Sequence, residues 1–266
     1  MKGRVLIVAG SDSGGGAGIQ ADIKAVTALG GFAMTAITAL TAQNTLGVHG
    51  VHPVPTDFIE QQMRVVLDDL GADAVKTGML GTVEIIATVA DGLRGLKGRV
   101  PVVIDPVMVA KGGHRLLDAD AVAAVVEKLL PLADVLTPNR PEAEALTGLI
   151  IEDRAGMRRA ADLLLLAGAK AVLMKGGHMP GEEVTDLLVT RDGEVAFTSP
   201  RIDTAHTHGT GCTLASAVAC GLAQGMRAEE AVRRARDYVA EAIRTAPGFG
   251  QGHGPLNHAH TVRAFP

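Results

Sequence analysis

Aromatic side chains are nearly missing from this chain, which has no Trp, one Tyr and five Phe among 266 residues. That excludes a groove that stacks sugars or bases on aromatic faces and disfavours a sandwich-type β protein. Cysteine is as scarce: Cys212 and Cys220 stand eight apart in one expected helix. Two helical turns separate them, beyond disulfide reach, so both are expected as reduced thiols, and no Cys/His spacing points to zinc. Long apolar runs are missing too. Val5 to Ala9 is far too short for a signal-peptide core or a membrane span, so a cytoplasmic protein with no membrane partner is expected. Basic clusters are absent: 25 Lys and Arg are scattered among 29 Asp and Glu, for a formal net charge of −4. That leaves no electrostatic footprint for nucleic acid.

What remains is small and aliphatic. Hydrophobic residues make up 47% of the chain and glycines number 33, so the core must be Ala, Val, Leu, Ile and Met packed around close backbone approaches. Short apolar runs alternate with amphipathic stretches throughout, the pattern of βαβ units and a mostly parallel sheet. Strands are expected at Val5–Ala9, Met34–Leu40, Ala74–Thr77, Val100–Asp105, Asp134–Thr137 and Ala171–Lys175. Helices fit at 16–29, 55–70, 82–95, 118–130, 140–147, 153–167, 210–224 and 228–244. Thr185–Thr190 and Glu194–Thr198 read as a hairpin about Arg191-Asp192-Gly193. No linker or repeat interrupts the pattern, so residues 1–266 are expected to form one domain.

In an open parallel sheet, ligands sit where strands end at their carboxyl edge. Two glycine loops fall there. Gly10-Ser-Asp-Ser-Gly-Gly-Gly-Ala-Gly18 runs off the first strand into a helix. It is not a Walker A loop, and Ile19 occupies the place of the last glycine in a dinucleotide fingerprint. It suits close approach of a ligand to the backbone, or simply a tight turn. The second loop, His208-Gly-Thr-Gly-Cys-Thr213, precedes an apolar helix and would offer backbone N–H groups to a phosphate or a developing phosphoryl charge. Cys212 in the first turn would have its thiol pKa lowered by the helix dipole, unless it is only a small buried hydrophobe.

Polar residues cluster at the other strand ends. Asp105 meets Pro106, and Asn139 and Glu142 follow Thr137-Pro138. Such oxygens could hold Mg²⁺ with its waters, although an acid in a first helical turn is also an ordinary dipole partner. Lys175 before two glycines suits a phosphate, or is a solvated strand end. Gln43, in Thr41-Ala-Gln-Asn-Thr45, offers a donor and an acceptor that could pair with an aminopyrimidine edge; turn chemistry is the alternative. Met79 and Val107 could wall a planar ligand or belong to the core.

Seven segments in order resemble the ribokinase-like superfamily, and within it the hydroxymethylpyrimidine and phosphomethylpyrimidine kinases of thiamine biosynthesis. They are Ala9–Asp22, Thr41–Thr45, Asp105–Met108, Thr137–Asn139, Met174–His178, His208–Leu214 and Gly252–His258, and the resemblance that they mark runs over almost the whole chain. The resemblance implies a three-layer α/β/α ribokinase-like fold with a mostly parallel central sheet and a small hairpin. It implies ATP-dependent phosphorylation of 4-amino-5-hydroxymethyl-2-methylpyrimidine and then of its monophosphate, with Mg²⁺, in a homodimer. By the same resemblance Gly209, Thr210, Gly211 and Cys212 form the anion hole. Most ribokinase-like kinases carry Asp at the Cys212 position, and a thiol there agrees with the pyrimidine-kinase branch. Gln43 would bond the pyrimidine, with Ala17, Asp22, Met79 and Val107 around the ring. Asn139, Asp105 and Glu142 would serve nucleotide and metal, and Lys175 a nucleotide phosphate. A pyridoxal or pyridoxine kinase of the same branch is the nearest alternative. A nicotinamide-dependent oxidoreductase lacks its glycine fingerprint here, and a non-catalytic ligand-binding module is a third reading.

Overall fold

The computed structural model describes residues 1–109, 113, 116–117 and 120–263. Its strands are β1 (Arg4–Asp12), β2 (Phe32–Asn44), β3 (Gly47–Pro53), β4 (Ala74–Thr77), β5 (Val102–Ile104), β6 (Val135–Leu136), β7 (Ala171–Met174), β8 (Glu183–Thr190) and β9 (Gly193–Pro200). They build one sheet in the order β3-β2-β1-β4-β5-β6-β7-β8-β9. From β2 to β7 all neighbours are parallel. Antiparallel pairing is confined to the edges, where β3 joins β2 and the β8–β9 hairpin joins β7.

Alternation along the strands builds the layers, because successive side chains of a strand point to opposite faces. Leu6 and Val8 of β1 enter one core with Val75, Val102, Ile104 and Met174, whereas Val5, Ile7 and Ala9 enter the other with Val103, Val135 and Leu173. The first core is covered by α2 (Thr56–Asp69), α3 (Val83–Arg94), α4 (Ala121–Ala124), α5 (Arg140–Thr147) and α6 (Arg154–Leu166); the second by α1 (Gly18–Ala28), α7 (Thr210–Ala223) and α8 (Ala228–Arg244). This is the three-layer arrangement that the family resemblance implies, around the mostly parallel sheet expected from the strand–helix alternation. The chain moves outward from β1 to β2 and then returns across β1 to β4, so the strand order reverses between β1 and β4. Such a reversal opens a crevice at the carboxyl ends of the strands.

Two elements differ from the sequence reading. β3 is absent from it, because Gly47-Val-His-Gly-Val-His-Pro53 has no apolar run and carries glycines and a terminal proline. An edge strand tolerates both. It is set by the turn before it, where Asn44 Oδ1 accepts from the amides of Leu46 and Gly47 at 2.9 and 3.2 Å. The helix expected at 118–130 begins outside the described residues; Ala121–Ala124 passes into a π-helical turn over Val125–Leu129 and a 3-10 turn over Leu130–Leu132. Pro131 accounts for the end, since it cannot donate to a continuing helix.

Candidate active site

At the carboxyl end of β1 the glycine loop folds over a buried carboxylate. Asp12 accepts from the amide of Gly14 at 2.8 Å through Oδ1, and from Gly16 and Ala17 at 3.0 and 2.8 Å through Oδ2. His208 Nε2 lies 2.9 Å from the same Oδ2. Burial works against the Asp12 charge, and the bonds from His208, Ala17 and Gly14 override it, holding the carboxyl below its ordinary range. The loop has to be glycine at Gly16, where a Cβ would strike the His208 ring and lie 3.2 Å from Pro255.

The same contact delivers the amino end of α7 to the site. Gly209 caps that helix at φ 82°, and any Cβ there would collide with the Gly16 carbonyl. Only glycine meets both demands. In the first turn Gly211 and Cys212 present amides that no carbonyl within the helix can take. The C-terminal segment wraps this end: the His208 amide donates to Gly254 at 3.1 Å, and the His253 amide donates to Thr45 at 2.9 Å. Thr213 Oγ1 lies 3.0 Å from His258 Nε2.

Cys212 is half-buried at this helix end. The dipole argument expected a lowered thiol pKa, and the structure corrects it. Burial pushes the thiol up to about 12, and Lys76 and the Gly18 amide only partly oppose burial and the nearby Asp22 and Asp105 charges. Among the described residues both cysteines are free thiols, with Cys220 buried.

Lys76 escaped the sequence reading. It lies on the central strand β4, with no exposed side-chain surface, and its Nζ bonds both Asp22 oxygens at 3.0 and 2.8 Å. Ser216 Oγ of α7 donates to Asp22 Oδ1 at 2.7 Å. Burial opposes the ammonium charge, and the Asp22 carboxylate overrides it, holding Lys76 above the ordinary lysine range. Asp22 thus has its carboxylate committed to Lys76 and Ser216, beneath the crevice. A lysine inside an otherwise apolar parallel strand was the available signal, because such strands are covered on both faces.

Across α7 lies a second charged cluster. Lys175 Nζ is 2.9 Å from Asp105 Oδ1 and 3.5 Å from Glu142 Oε2, and Thr137 Oγ1 donates to Asp105 Oδ1 at 3.1 Å. Lys175 is only 12% exposed, which removes the solvated-lysine reading. Burial opposes its charge, and Asp105 and Glu142 together raise it above the ordinary range. Asn139 and Glu142 form a capping box at the start of α5: the Glu142 amide donates to Asn139 Oδ1 at 3.0 Å, and the Asn139 amide donates to Glu142 Oε2 at 2.7 Å. Burial, reinforced by Asp105, pushes the Glu142 carboxyl up to about 7 against the pull of Lys175. A Cβ on Gly211 would lie 3.2 Å from Lys175 Nζ and 3.9 Å from Asp105 Oδ2, so this cluster abuts the α7 amides.

The remaining expected residues stand on β2 and on the loops that follow β1, β4 and β5. The Gln43 carboxamide lies 3.3 Å from Thr41 Oγ1 and 3.4 Å from His208 Nε2. Its backbone is clamped by Ser13 Oγ, which accepts from Gln43 N at 2.8 Å and donates to Gln43 O at 2.9 Å. Ala17 caps α1, Met79 packs its sulfur against Gly10, and Val107 follows Asp105; all three are half-buried. Thr38 Oγ1 holds the Met79 carbonyl at 2.7 Å. No group of three or more His, Cys, Asp or Glu side chains among the described residues could hold a metal by itself. The donors present nevertheless fit Mg²⁺. Asp105 and Glu142 supply hard oxygens, and the bonds above commit one oxygen of each. A cation that keeps most of its waters needs few more from protein.

The mostly parallel α/β sheet, with a helix amino end, a buried lysine and paired acids near its carboxyl edge, agrees with the ribokinase-like kinase fold of solved relatives. The family model described as phosphomethylpyrimidine kinase matches residues 12–257. A hydroxymethylpyrimidine/phosphomethylpyrimidine kinase of Streptomyces coelicolor is 50% identical over 96% of this chain and 93% of its own length. The thiamine biosynthesis bifunctional protein ThiED of Geobacter sulfurreducens is 53% identical over 97% of this chain, which spans 52% of that longer protein. The pyridoxal kinase of Staphylococcus aureus in complex with AMP-PCP and pyridoxal superimposes with a TM-score of 0.91 at 35% identity, covering 99% of this chain and 96% of that one. The chain belongs to the phosphomethylpyrimidine kinase family. Among its described residues no helix is long and apolar enough to cross a membrane.

Proposed function

We propose that this chain, as one catalytic domain, transfers the γ-phosphoryl group of ATP to the hydroxymethyl group of 4-amino-5-hydroxymethyl-2-methylpyrimidine and then to the resulting monophosphate. The observation that carries this reading is the meeting at α7: Gly211 lies so near the Lys175–Asp105 pair that a Cβ there would come within 3.2 Å of Lys175 Nζ, while Gly209 rests on the glycine loop whose Asp12 and Ser13 hold His208 and Gln43. Donor-side charges and acceptor-side recognition therefore converge on one set of helix amides. Relatives of this name that are about half identical across the chain favour the same substrate.

The roles follow from the chemistry of the groups. Phosphoryl transfer depends on alignment and charge neutralisation more than on covalent participation. The amides of Gly209, Gly211 and Cys212 receive the transferred group, Thr210 holds the turn with its amide and hydroxyl on the Thr207 carbonyl, and Lys175 and Asn139 face the nucleotide phosphates. Asp105 and Glu142 would hold Mg²⁺, which when bound offsets phosphate charge. Gln43 reads the pyrimidine edge, and Ala17, Met79 and Val107 bound the ring, with Asp22 holding Lys76 below them. Cys212 is a neutral thiol in the free enzyme, so its first contribution is to position the acceptor hydroxyl. A neutral thiol can take the hydroxyl proton only as it passes its own S–H proton to an oxygen of the transferred phosphoryl group, so Cys212 acts as a proton relay once the loose transition state has made that hydroxyl acidic. A cytoplasmic homodimer completes the reading.

Phosphorylation of the pyrimidine alcohol, its monophosphate and pyridoxal with ATP and Mg²⁺, followed by ³¹P NMR, tests it. Turnover of both pyrimidines is expected, and turnover of pyridoxal alone overturns the assignment. Pyridoxal kinase is the second reading, favoured by the likeness to the pyridoxal-bound enzyme, and it rests on the lower identity of the two.

A further inference from the structure

A carboxamide has a donor at one end and an acceptor at the other, and its neighbours decide which end is which. The structure sets Gln43 Oε1 3.3 Å from Thr41 Oγ1 and Gln43 Nε2 3.4 Å from His208 Nε2, and oxygen and nitrogen of a carboxamide are told apart only by such neighbours. Thr41 has a single hydroxyl proton, donated at 2.9 Å to the carbonyl of Ser11, an atom that can only accept. Its lone pairs are left for Gln43. His208 Nε2 lies 2.9 Å from Asp12 Oδ2, which already accepts from the amides of Gly16 and Ala17. An ionised carboxylate has no proton to give, so Nε2 carries one and donates it to Asp12; the end of Gln43 beside it, at the longer 3.4 Å, can meet that N–H only as an acceptor, in the weaker arm of a shared bond.

We infer that Gln43 is held with its NH₂ group on the Thr41 hydroxyl and its carbonyl on the His208 Nε2–H, so that Thr41, His208 and Asp12 are positioning residues that set which ring edge the site accepts. The two amide atoms as placed set the carbonyl against hydroxyl lone pairs and the NH₂ against an N–H, two repulsive contacts in a half-buried place that exchanging them removes. Once oriented, Gln43 has spent one N–H and one lone pair. It keeps one of each, on adjacent atoms. Their complement is a ring nitrogen that accepts beside an exocyclic amino group that donates. An aminopyrimidine has that edge. In pyridoxal the ring nitrogen is flanked by carbon on both sides and carries no neighbouring amino donor, so it can satisfy only one of the two. A hydrogen-bonding group left unpaired against a desolvated ring loses about 1–3 kcal/mol, roughly tenfold or more in affinity. The orientation stands on the contacts alone; the ring edge rests on the substrate class proposed above.

Two measurements separate these parts. Imidazole ¹⁵N NMR of histidine-labelled protein without substrate, with His208→Gln to assign the signal, should show His208 as the Nε2–H tautomer. The Nδ1–H tautomer overturns the orientation whatever the substrate is. Calorimetry then compares 4-amino-5-hydroxymethyl-2-methylpyrimidine with pyridoxal. In Thr41→Val the shape is kept and the hydroxyl lost, so the preference for the pyrimidine should fall about tenfold, and Thr41→Ser should restore most of it. A preference unchanged in Thr41→Val, or lost equally in Thr41→Ser, overturns the specificity role. Wild-type protein that prefers pyridoxal overturns both that role and the substrate reading, and leaves the tautomer to decide the orientation.

Discussion

Replacing Lys76 by Met should cost about 4 kcal/mol of stability at neutral pH, and the cost should come from Asp22 rather than from lost packing. Both side chains have no exposed surface, and Lys76 bonds both carboxylate oxygens. Met fills nearly the same volume without the charge. Asp22 then keeps only the Ser216 hydroxyl, at 2.7 Å, as a partner. A buried carboxylate without its cation escapes by taking a proton. From an ordinary pKa of about 3.9, staying protonated at pH 7 costs about three pH units at roughly 1.4 kcal/mol each, which falls within the roughly 3–5 kcal/mol typical of breaking a buried pair. The sign follows: in the variant the folded state binds a proton that the unfolded state has lost, so the deficit is largest at high pH and shrinks as pH falls toward 4. Urea unfolding of wild type and Lys76→Met at pH 7 and pH 5 should show the difference between them shrinking by roughly 2–3 kcal/mol. Adding Asp22→Asn, which mimics the neutral acid, should recover most of the loss at pH 7. A deficit equal at both pH values, or an Asp22→Asn change that adds to it, would refute the ionised pair.

Three further outcomes are expected. With its thiol pushed up to about 12, Cys212 should resist iodoacetamide at pH 8 in the native enzyme and react readily in urea, as mass spectrometry of the modified peptide would show; rapid native labelling would mean that a thiolate is present. Gly209→Ala demands a left-handed alanine and a Cβ in the Gly16 carbonyl, so kcat should fall at least about tenfold with the far-UV spectrum retained; a fully active variant would remove this helix end from the chemistry. Burial, with the charges of Lys24 and His260, lowers His258 to about 4, so its contribution to stability is present above pH about 6.5 and lost as pH falls toward 4, by up to about 3 kcal/mol; His258→Gln should flatten that limb of the unfolding profile, and an unchanged limb would place the titration elsewhere.

Much of the site could be read from the chain because a parallel sheet gathers strand ends. Asp105, the Asn139/Glu142 pair and Lys175 lie far apart in sequence, yet each follows a strand, and the strands β5, β6 and β7 are neighbours. Topology alone therefore brings them together. The capping box is a local feature: Asn139 and Glu142 stand three apart at a helix start, a pair read from the sequence as metal or dipole chemistry and not as a cap. What could not be read were pairings that depend on approach across the fold. Asp12 and His208 are separated by 196 positions, and Lys76 and Asp22 by 54, with no local pattern linking either pair. β3 was hidden differently, since its residues have no strand signature of their own and are held by pairing with β2.

The error at Cys212 is one of magnitude. Its place in the first turn of α7 was right, and a helix amino end does favour a thiolate, but by about 0.3–1 kcal/mol, less than one pKa unit. Burial can shift a group by as much as 3–5 units, and here the thiol also shares its surroundings with the Asp22 and Asp105 carboxylates. Sequence reports the helix end and not the desolvation, so the smaller effect is visible and the larger one hidden. The same imbalance bears on the chemistry. The helix amides that fail to ionise the thiol remain available to the transferred phosphoryl group, whose charge grows in the transition state and is met there without reorganisation. The second acceptor, a phosphate monoester with a second pKa of about 6, arrives already ionised and needs no base at all. A neutral Cys212 is then no obstacle to the second transfer. Cys212→Ala should accordingly slow phosphorylation of the alcohol more than that of the monophosphate, in single-turnover measurements at saturating ATP and Mg²⁺; equal slowing of both would leave Cys212 with positioning as its whole role.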